Sequence, residues 1–348
     1  MKTVLIRNII SENTAYQINA FIQKHKRELG QVRVFFCAET ESNRYWNRKL
    51  KLSFDYKILP HFDIQLRGSD LFTYFVNLTI IKELNSYNPD RLIISGWDLF
   101  ASQLAYIWGF LRKKHTTLWS GSTRNETSWR RTITLPLVKF FVRISTDYLA
   151  YGLRAKEYLV SLGAKPDRVS IFLNDVDRRY FTSQAKKLGP QKIQLKRKFN
   201  VTKPRNFLYV GQLIQRKGLI EFLAAYRKFK TKHPGWGIVI VGAGVFENKI
   251  RDYIKAQAIK NVNFLGVIGN ESLPQIYATC EVLVLPSTEE VWGRVVNEAL
   301  YSGLKVVVSD KCGCVPDLIR SGINGYSFKS GSIASLVGAL NKIVNLTK

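Results

Sequence analysis

The chain has 348 residues, 46% of them hydrophobic, and a formal net charge of +27 at pH 7. This length exceeds one typical hydrophobic core and predicts two domains, and the composition excludes a low-complexity or disordered chain. The first twenty residues lack the pattern of a secretory signal and no apolar run reaches eighteen residues, so we expect a cytoplasmic protein.

The positive charge is spread over the whole chain. Such a field attracts nucleic acid, anionic lipid and diphosphate-containing substrates alike. We expect no specific nucleic-acid partner, because no helix-turn-helix, zinc-finger or aromatic-basic pattern is present. Cys37, Cys280, Cys312 and Cys314 lack the spacing of a zinc site and are expected to be buried thiols. The oligomeric state stays open.

The first half of the chain alternates predicted strands and helices. Apolar runs predict strands at residues 3–6, 32–36, 56–59, 91–94, 116–119, 147–151 and 169–173. Helical periodicity predicts helices at residues 15–29, 69–84, 100–111, 130–144 and 155–162. This alternation predicts a doubly wound α/β domain with a parallel sheet.

The predicted helix at 130–144 combines basic and apolar residues. Arg130, Arg131, Lys139 and Arg143 supply its charge. A basic amphipathic helix can lie on an anionic membrane, but a helix packed on the core with solvated charges explains the same pattern. Both interpretations stay open at this point.

The second half begins with an apolar strand at 206–210 and a loop bounded by Gly211 and Gly218. Glycines at both ends of the loop let its backbone approach a ligand, and Arg216 and Lys217 stand at the start of the helix that follows. The expected ligand of this loop is an anionic diphosphate.

A strand, loop, helix and strand follow one another over residues 282–308. The helix N-terminus in such a unit points to the carboxyl edge of the sheet, where phosphate groups bind well. Two carboxylates flank the helix start, Glu290 in the loop and Glu298 in the helix. A carboxylate accepts two hydrogen bonds side by side, so the pair suits two sugar diols with a phosphate between them.

Glu290 and Glu298 are separated by seven residues, with Trp292-Gly293 between them. The sequence continues after Glu298 as Ala-Leu-Tyr-Ser-Gly-Leu-Lys-Val-Val-Val. This pattern closely resembles a known signature. It is the E-x7-E signature of the retaining glycosyltransferases of family 4, which have the GT-B fold. The resemblance is dense over 206–344, thinner over 91–177 and weak before that. It implies an α/β protein with two Rossmann-like doubly wound domains, whose parallel sheets face a central cleft.

The implied domains are an N-terminal acceptor-binding domain at 1–185, a linker region at 186–204 and a C-terminal nucleotide-sugar-binding domain at 205–348. The polar, lysine-rich composition of the middle segment is typical of a linker. After the strand at 169–173 stands Asn174-Asp175-Val176-Asp177, whose Asp-x-Asp binds a metal in the other large glycosyltransferase fold, GT-A. Because the downstream motifs are those of GT-B, we interpret it as a turn.

The resemblance also implies roles for individual residues. Lys217 and, beside it, Arg216 contact the donor diphosphate, and Glu290 contacts the donor sugar, which makes these three the catalytic candidates. Glu298 contacts the ribose. The donor-binding candidates are Gly211, Gln212, Val267, Ile268, Trp292, Gly293, Arg294, Val295 and Glu298.

On the acceptor side the sequence departs from the family. Ser120, followed by Gly121, stands where relatives often have a histidine, and the loop at 7–12 lacks the glycine pair common after the first strand. Gln212 also stands where arginine is common.

The implied function is a retaining transfer of a hexose from a nucleotide diphosphate sugar, either GDP-mannose or a UDP-hexose. The implied acceptor is a glycan or a lipid-linked saccharide, and neither a metal nor another cofactor is expected. A lipid-linked acceptor would place the protein at the cytosolic face of an anionic membrane. The alternatives are a non-catalytic binder of nucleic acid or membrane surfaces and a GT-B epimerase.

Overall fold

The computed structural model describes residues 1–40, 52–66, 72–126 and 129–347. Contacts divide the chain into two compact units, Met1–Asn174 and Asp175–Lys348. Each unit is built on its own parallel sheet.

The described strands of the first unit are β1 (Lys2–Ile9), β2 (Gln31–Ala38), β3 (Asp55–Ile58), β4 (Phe62–Leu66), β5 (Phe72–Val76), β6 (Arg91–Ser95), β7 (His115–Ser120), β8 (Asp147–Ala150) and β9 (Val169–Ile171). Its helices are α1 (Glu12–Lys24), α2 (Lys26–Leu29), α3 (Ile80–Tyr87), α4 (Phe100–Leu111), α5 (Trp129–Ile144) and α6 (Leu153–Ser161).

The main sheet of this unit has the strand order β3-β2-β1-β6-β7-β8-β9, and all its neighbours pair in parallel. In β1, Ile6 pairs with Phe35 on one side and with Ile94 on the other. The strand order therefore reverses at β1 and β6, which is where open α/β sheets form a ligand-binding crevice at their carboxyl ends.

The first helical stretch begins at a serine cap. The Ser11 side chain accepts a hydrogen bond from the backbone N–H of Thr14 at 3.1 Å, which satisfies one of the free donors of the first turn. The helix predicted at 15–29 is two helices, because the backbone of His25 leaves the helical conformation between α1 and α2.

The helix predicted at 69–84 was wrong over residues 72–79. Residues 69–71 lie outside the described part, β5 then pairs antiparallel with β4, and α3 begins only at Ile80. Thr73, Phe75 and Asn77 are buried while the residues between them are half-buried. This alternation has the period of a strand, which overrides the helical spacing of the apolar residues.

The second unit contains helices α7 (Arg178–Leu188), α8 (Lys192–Lys198), α9 (Leu219–Lys230), α10 (Glu247–Ala256), α11 (Leu273–Tyr277), α12 (Arg294–Tyr301), α13 (Val315–Leu318) and α14 (Ile333–Ile343). Its strands are β10 (Arg205–Val210), β11 (Trp236–Val241), β12 (Val262–Gly266), β13 (Val282–Leu285), β14 (Lys305–Ser309) and β15 (Gly325–Phe328).

Its sheet has the order β12-β11-β10-β13-β14-β15 and is parallel throughout. The order reverses at β10 and β13. Aromatic side chains fill one side of this sheet: Phe207 stacks on Trp236 at 4.4 Å and meets Phe229 edge-on at 5.1 Å. This core fixes β10, and the loop bounded by Gly211 and Gly218 follows the carboxyl end of that strand.

The segment expected to be a linker, 186–204, lies in the second unit and contains the end of α7 and the whole of α8. Asp177 caps α7 by accepting from the backbone N–H of Tyr180 at 2.9 Å. Phe181, Leu188 and Leu195 are buried, one apolar residue every seven. Such sparse spacing buries only a narrow stripe of each helix, so the sequence shows little amphipathic signal here.

The expected fold class is confirmed as two α/β units with parallel sheets. Within the described ranges, no helix has both the length and the hydrophobicity needed to cross a membrane.

Candidate functional site

Two loops of the second unit meet where its sheet order reverses. One follows β10 and carries Arg216 and Lys217, and the other follows β13 and carries Glu290. Both leave the carboxyl ends of adjacent parallel strands, and α12 begins directly after the second loop. The structure thus brings together side chains that are more than seventy residues apart in sequence.

The two loops are held together by backbone contacts. The backbone N–H of Thr288 donates to the carbonyl of Arg216 at 2.8 Å, and the Thr288 hydroxyl donates to the same oxygen at 3.1 Å. Gly218 has φ +67°, and a Cβ there would lie 2.1 Å from the carbonyl oxygen of Pro286. Glycine is therefore required by close approach as well as by its backbone conformation.

Lys217 and Glu290 form an ion pair between the loops. The Lys217 ammonium donates to Glu290 Oε2, and both side chains are largely buried, with 14% and 17% of their surface exposed. Next to them, Arg216 Nη1 donates to the carbonyl of Glu289 at 3.4 Å. When a ligand binds, the Lys217 ammonium can bind its phosphate and the Glu290 carboxylate can accept hydrogen bonds from its hydroxyls.

The start of α12 is shaped by Gly293, which has φ +96° and serves as its N-terminal cap. A Cβ at this position would lie 2.8 Å from the Leu285 side chain. The chain therefore turns tightly from the β13 loop into the helix, and the backbone N–H groups of Arg294 and Val295 lie in its first turn. These donors and the helix dipole favour an anion.

The Trp292 side chain is 2% exposed and belongs to the core. Its Nε1 donates to Asn297 Oδ1 at 2.9 Å, and Asn297 Nδ2 donates to Asp175 Oδ1 at 2.7 Å. The Tyr301 hydroxyl donates to the other Asp175 oxygen at 2.8 Å. Any contact that Trp292 makes with a donor must therefore come from its backbone, and its indole anchors the helix.

Glu298 lies in the first turns of α12 and is 7% exposed. The hydroxyl of Tyr277, at the end of α11, donates to Glu298 Oε2 at 2.7 Å. Burial raises the pKa of the Glu298 carboxyl above its usual value, and the Tyr277 hydrogen bond and the Arg294 charge partly oppose this effect. One carboxylate oxygen is thus fixed by Tyr277.

The other donor-binding candidates lie on neighbouring loops. Gly211 follows β10, and its carbonyl oxygen would lie 1.9 Å from a Cβ on Gly242, which has φ +130°. The Gln212 carbonyl accepts from the Tyr209 hydroxyl at 2.7 Å, while its side chain is exposed. Val267 and Ile268 follow β12, and Val267 is 54% exposed.

Both aspartates of the Asp-x-Asp sequence have structural partners. Asp175 accepts the bonds from Asn297 and Tyr301, and Asp177 caps α7. Across the described ranges, no group of three or more histidine, cysteine, aspartate or glutamate side chains is arranged to hold a metal ion.

The acceptor-side candidates lie in the first unit, at the end of β7. Ser120 is 3% exposed, and its hydroxyl accepts from the backbone N–H of Ser122 at 3.1 Å. The Tyr151 ring covers Gly121, where an added Cβ would lie 2.0 Å from Tyr151 Cδ2. Ser120 is therefore a packed residue, and the neighbouring Gly121 lies under an aromatic ring.

Sequence reasoning missed the residues that hold the predicted ones in place. Tyr277 and Asn297 carry no motif of their own, and Asp175 was interpreted only as part of a turn. The available signal was Asn297 itself, a polar residue between Val296 and Ala299 on a helix face that otherwise reads as buried.

Comparison with known structures identifies the class of fold. The chain has the two-domain α/β fold of GT-B glycosyltransferases. It superposes on HepE of Anabaena, solved in complex with UDP, with a TM-score of 0.74 and 17% identity, covering 100% of this chain and 91% of that one. The same protein solved with UDP-glucose gives the same TM-score at 16% identity.

Residues 191–348 match the family model described as Glycosyl transferases group 1. An uncharacterised glycosyltransferase of Methanocaldococcus jannaschii is 29% identical over 173 residues, 49% of this chain and 43% of that protein. The glycogen synthase of Mycobacterium tuberculosis is 28% identical over 145 residues, 41% of this chain and 35% of that protein. The aligned part spans less than half the length of these relatives.

Proposed function

We propose that the protein is a metal-independent retaining glycosyltransferase that moves a hexose from a nucleotide diphosphate sugar to a glycan or lipid-linked acceptor. The observation that carries the proposal is the Lys217–Glu290 pair at the reversal point of the second sheet, beside the start of α12. Cation, carboxylate and helix N-terminus there match the diphosphate and the hydroxyls of such a donor.

The main chemical demand is to stabilise charge on the departing diphosphate as the sugar becomes oxocarbenium-like. Lys217 and Arg216 supply positive charge, and the N–H groups at the start of α12 supply further donors. Because these groups are fixed before the reaction, they need no reorganisation when charge develops. A metal ion has no required place in this scheme.

Glu290 holds the donor sugar through its hydroxyls, and Glu298 holds the ribose. Retention then follows from a front-face reaction: the acceptor hydroxyl attacks the anomeric carbon from the side of the leaving phosphate, which takes up the proton. The bond from the anomeric carbon to the phosphate oxygen breaks as the new glycosidic bond forms. Glu290 acts as a positioning group for the sugar in this scheme and forms no covalent intermediate.

The donor base and sugar are to be sought first among UDP-hexoses and GDP-mannose. The UDP and UDP-glucose complexes of HepE, a protein of the same fold, favour testing uridine donors first. For the acceptor, a lipid-linked saccharide at the cytosolic face of an anionic membrane agrees with the net charge of +27.

Calorimetry of the whole protein against uridine- and guanosine-diphosphate sugars, with and without chelator, tests the donor proposal. We expect saturable binding of one donor that chelator leaves unchanged. Lys217→Ala should lower kcat by about 100- to 1,000-fold, because it removes one donor to the developing charge. Lys232→Ala, at an exposed position in the same unit, is the matched control and should keep its activity.

Three outcomes would contradict the proposal. Wild-type turnover in the Lys217→Ala variant would remove Lys217 from the mechanism, and loss of donor binding with chelator would show metal dependence. Absence of any donor binding, with uptake of nucleic acid or vesicles, would favour a non-catalytic anion binder. Release of nucleotide diphosphate together with a glycosylated acceptor distinguishes transfer from epimerisation.

A further inference from the structure

A buried cation lies at the carboxyl end of β1 in the first unit. Arg7 is 4% exposed. Its Nη1 donates to the Ser95 hydroxyl oxygen at 2.9 Å and to the Tyr151 hydroxyl oxygen at 3.1 Å, and its Nη2 donates to Gln17 Oε1 at 3.2 Å. These contacts tie the end of β1 to the ends of β6 and β8 and to α1.

Each described hydrogen-bond partner of the Arg7 guanidinium is a neutral group. The guanidinium also lies over the Trp119 ring, 3.9 Å from its centroid, which attracts the cation but does not neutralise it. Arg7 Nε and Trp119 Nε1 are buried donors with no hydrogen-bond partner in the described part of the chain. A buried charge without a counter-charge is costly, and unpaired buried donors add to that cost.

The hydroxyls around Arg7 are left as donors. Arg7 fills lone pairs of Ser95 Oγ and Tyr151 Oη, so each hydroxyl proton must point to another acceptor. No described residue accepts a hydrogen bond from either hydroxyl. Both residues are half-buried, so each remains partly accessible to solvent. The guanidinium behind them polarises both O–H groups and strengthens them as donors.

The position of this cluster is that of a ligand site. Strand order reverses between β1 and β6, and ligands of open α/β sheets bind outside the carboxyl ends of strands at that point. Tyr151 covers Gly121, and Trp119 precedes Ser120, so the acceptor-side candidates adjoin the cluster. Gln17, which accepts from Arg7, donates through Nε2 to Asn174 Oδ1 at 3.3 Å and extends its polar rim.

We propose that the carboxyl end of β1 is an anion-binding acceptor subsite, in which Ser95 and Tyr151 donate to a phosphate group and Arg7 supplies the counter-charge. The assignment of this phosphate to an acceptor substrate rests on the proposed transferase function. The anion site itself rests only on the contacts of Arg7, Ser95 and Tyr151. A phosphate on a soluble sugar and the diphosphate of a lipid carrier offer the same chemistry. The phosphate is an anchor and takes no part in bond making.

Calorimetry with glycerol 3-phosphate, and with glycerol as its neutral counterpart, tests the site directly. We expect the wild-type protein to bind the phosphate and not glycerol. Tyr151→Phe should weaken phosphate binding about ten-fold or more, because it removes a hydrogen bond to a charged group. Lys82→Gln removes one exposed charge from the same unit and should leave binding unchanged.

Arg7→Gln should abolish binding if it folds, and Ser95→Ala gives a second measurement that leaves the buried charge in place. Thermal melting checks the fold of each variant. Equal weakening by Lys82→Gln and Tyr151→Phe would show diffuse attraction to a basic protein and overturn the site. Unchanged affinity in both Tyr151→Phe and Ser95→Ala would overturn it as well.

Two further arms separate the sources and the hypotheses. The affinities for farnesyl diphosphate and glycerol 3-phosphate are each measured in the wild type and in Tyr151→Phe. A larger loss of affinity for farnesyl diphosphate supports a lipid carrier, and a larger loss for glycerol 3-phosphate supports a soluble sugar phosphate. Lys217→Ala should leave glycerol 3-phosphate binding intact while donor binding falls. If no donor binds but Tyr151→Phe still weakens phosphate binding, the transferase proposal fails and the anion site stands.

Discussion

The hydrogen bond from Tyr277 to Glu298 leaves one carboxylate oxygen for a ligand. If Glu298 holds the ribose, Tyr277 is a positioning residue that sets the orientation of its free oxygen. Tyr277→Phe should then reduce the preference for UDP over 2′-deoxy-UDP by about ten-fold, the effect of losing one hydrogen bond to a charged group. Competition calorimetry with the two nucleotides measures this ratio.

Tyr226→Phe is the matched control for Tyr277→Phe. Tyr226 is equally buried in the same unit, and its hydroxyl donates to the carbonyl of Trp236 at 2.8 Å. It should lower stability without changing the ratio of the two nucleotides. An unchanged ratio in Tyr277→Phe, or an equal change in both variants, would reduce Tyr277 to a packing role.

The same contact predicts a pH dependence. Burial raises the pKa of Glu298 and the Tyr277 hydrogen bond lowers it, so Tyr277→Phe raises this pKa further. The ionised carboxylate is the better acceptor, and nucleotide binding should therefore weaken as pH falls through the Glu298 pKa. That weakening should begin at higher pH in Tyr277→Phe than in the wild type, as measured by nucleotide affinity across a pH series. A shift to lower pH would contradict the assignment.

Among individual residues, the sequence points to candidate ligand contacts more readily than to the residues that support them. Glu290 and Lys217 were proposed because their loops have a recognisable order of glycines and charges. Tyr277 and Arg7 were not, because their importance depends on a partner far away in sequence. The sequence does show Arg7 as a charged residue among the apolar residues of β1. Whether another side chain neutralises that charge depends on the folded structure.

Helices α4 and α5 of the first unit expose apolar side chains on their outer faces. They pack together through Tyr106 and Phe141, whose rings stack at 5.1 Å. The exposed residues follow helical spacing on both helices: Ile107, Phe110 and Leu111 on α4, and Ile133, Leu137 and Phe140 on α5. Basic residues adjoin them at Arg112, Lys113, Lys114, Lys139 and Arg143. One face of α5 packs on the core, as one interpretation of residues 130–144 expects, and contact of the open face with a membrane stays a prediction.

If this surface lies on an anionic membrane, replacing one of its apolar residues should weaken the contact. Ile133→Glu should reduce binding to phosphatidylglycerol vesicles by about ten-fold. It removes an aliphatic side chain that would insert into the membrane, and it adds a negative charge that the anionic lipid repels. Ile193→Glu, on α8, is the matched control, since the two isoleucines are 67% and 70% exposed. Vesicle sedimentation measures both, and equal losses would show that only net charge matters.

Whole elements were predicted best where apolar periodicity is dense. The structure has α4 at the predicted residues 100–111 and α5 one residue longer than predicted. The failures have physical causes. At β5 a strand alternates between buried and half-buried residues that also fit a helix, and α7 and α8 bury only one apolar residue in seven. Tertiary contacts decide such segments, and local sequence does not contain those contacts.

Both units are strongly basic. Met1–Asn174 contains 26 basic and 14 acidic residues, and Asp175–Lys348 contains 27 and 12, giving +12 and +15. The charge is therefore a property of the whole molecule and attracts any polyanion. A site for one nucleotide sugar differs from such attraction because its contacts are few, partly buried and directed, and salt screens buried pairs much less than exposed ones.

This contrast gives a test that separates the transferase from a non-catalytic anion binder. Between about 50 mM and about 200 mM salt, binding to a nucleic acid through 6–10 phosphates falls by roughly 10³- to 10⁵-fold. We expect donor affinity to change far less over that range, and Glu298→Gln to weaken donor binding without altering the affinity for single-stranded DNA. Because Glu298→Gln removes a negative charge, diffuse attraction would make it bind both ligands more tightly. Fluorescence anisotropy with labelled DNA and a labelled nucleotide at each salt concentration measures the two affinities side by side. A donor affinity that falls as steeply as that of DNA, and rises in Glu298→Gln, would show that the protein binds nucleotides only through its overall charge.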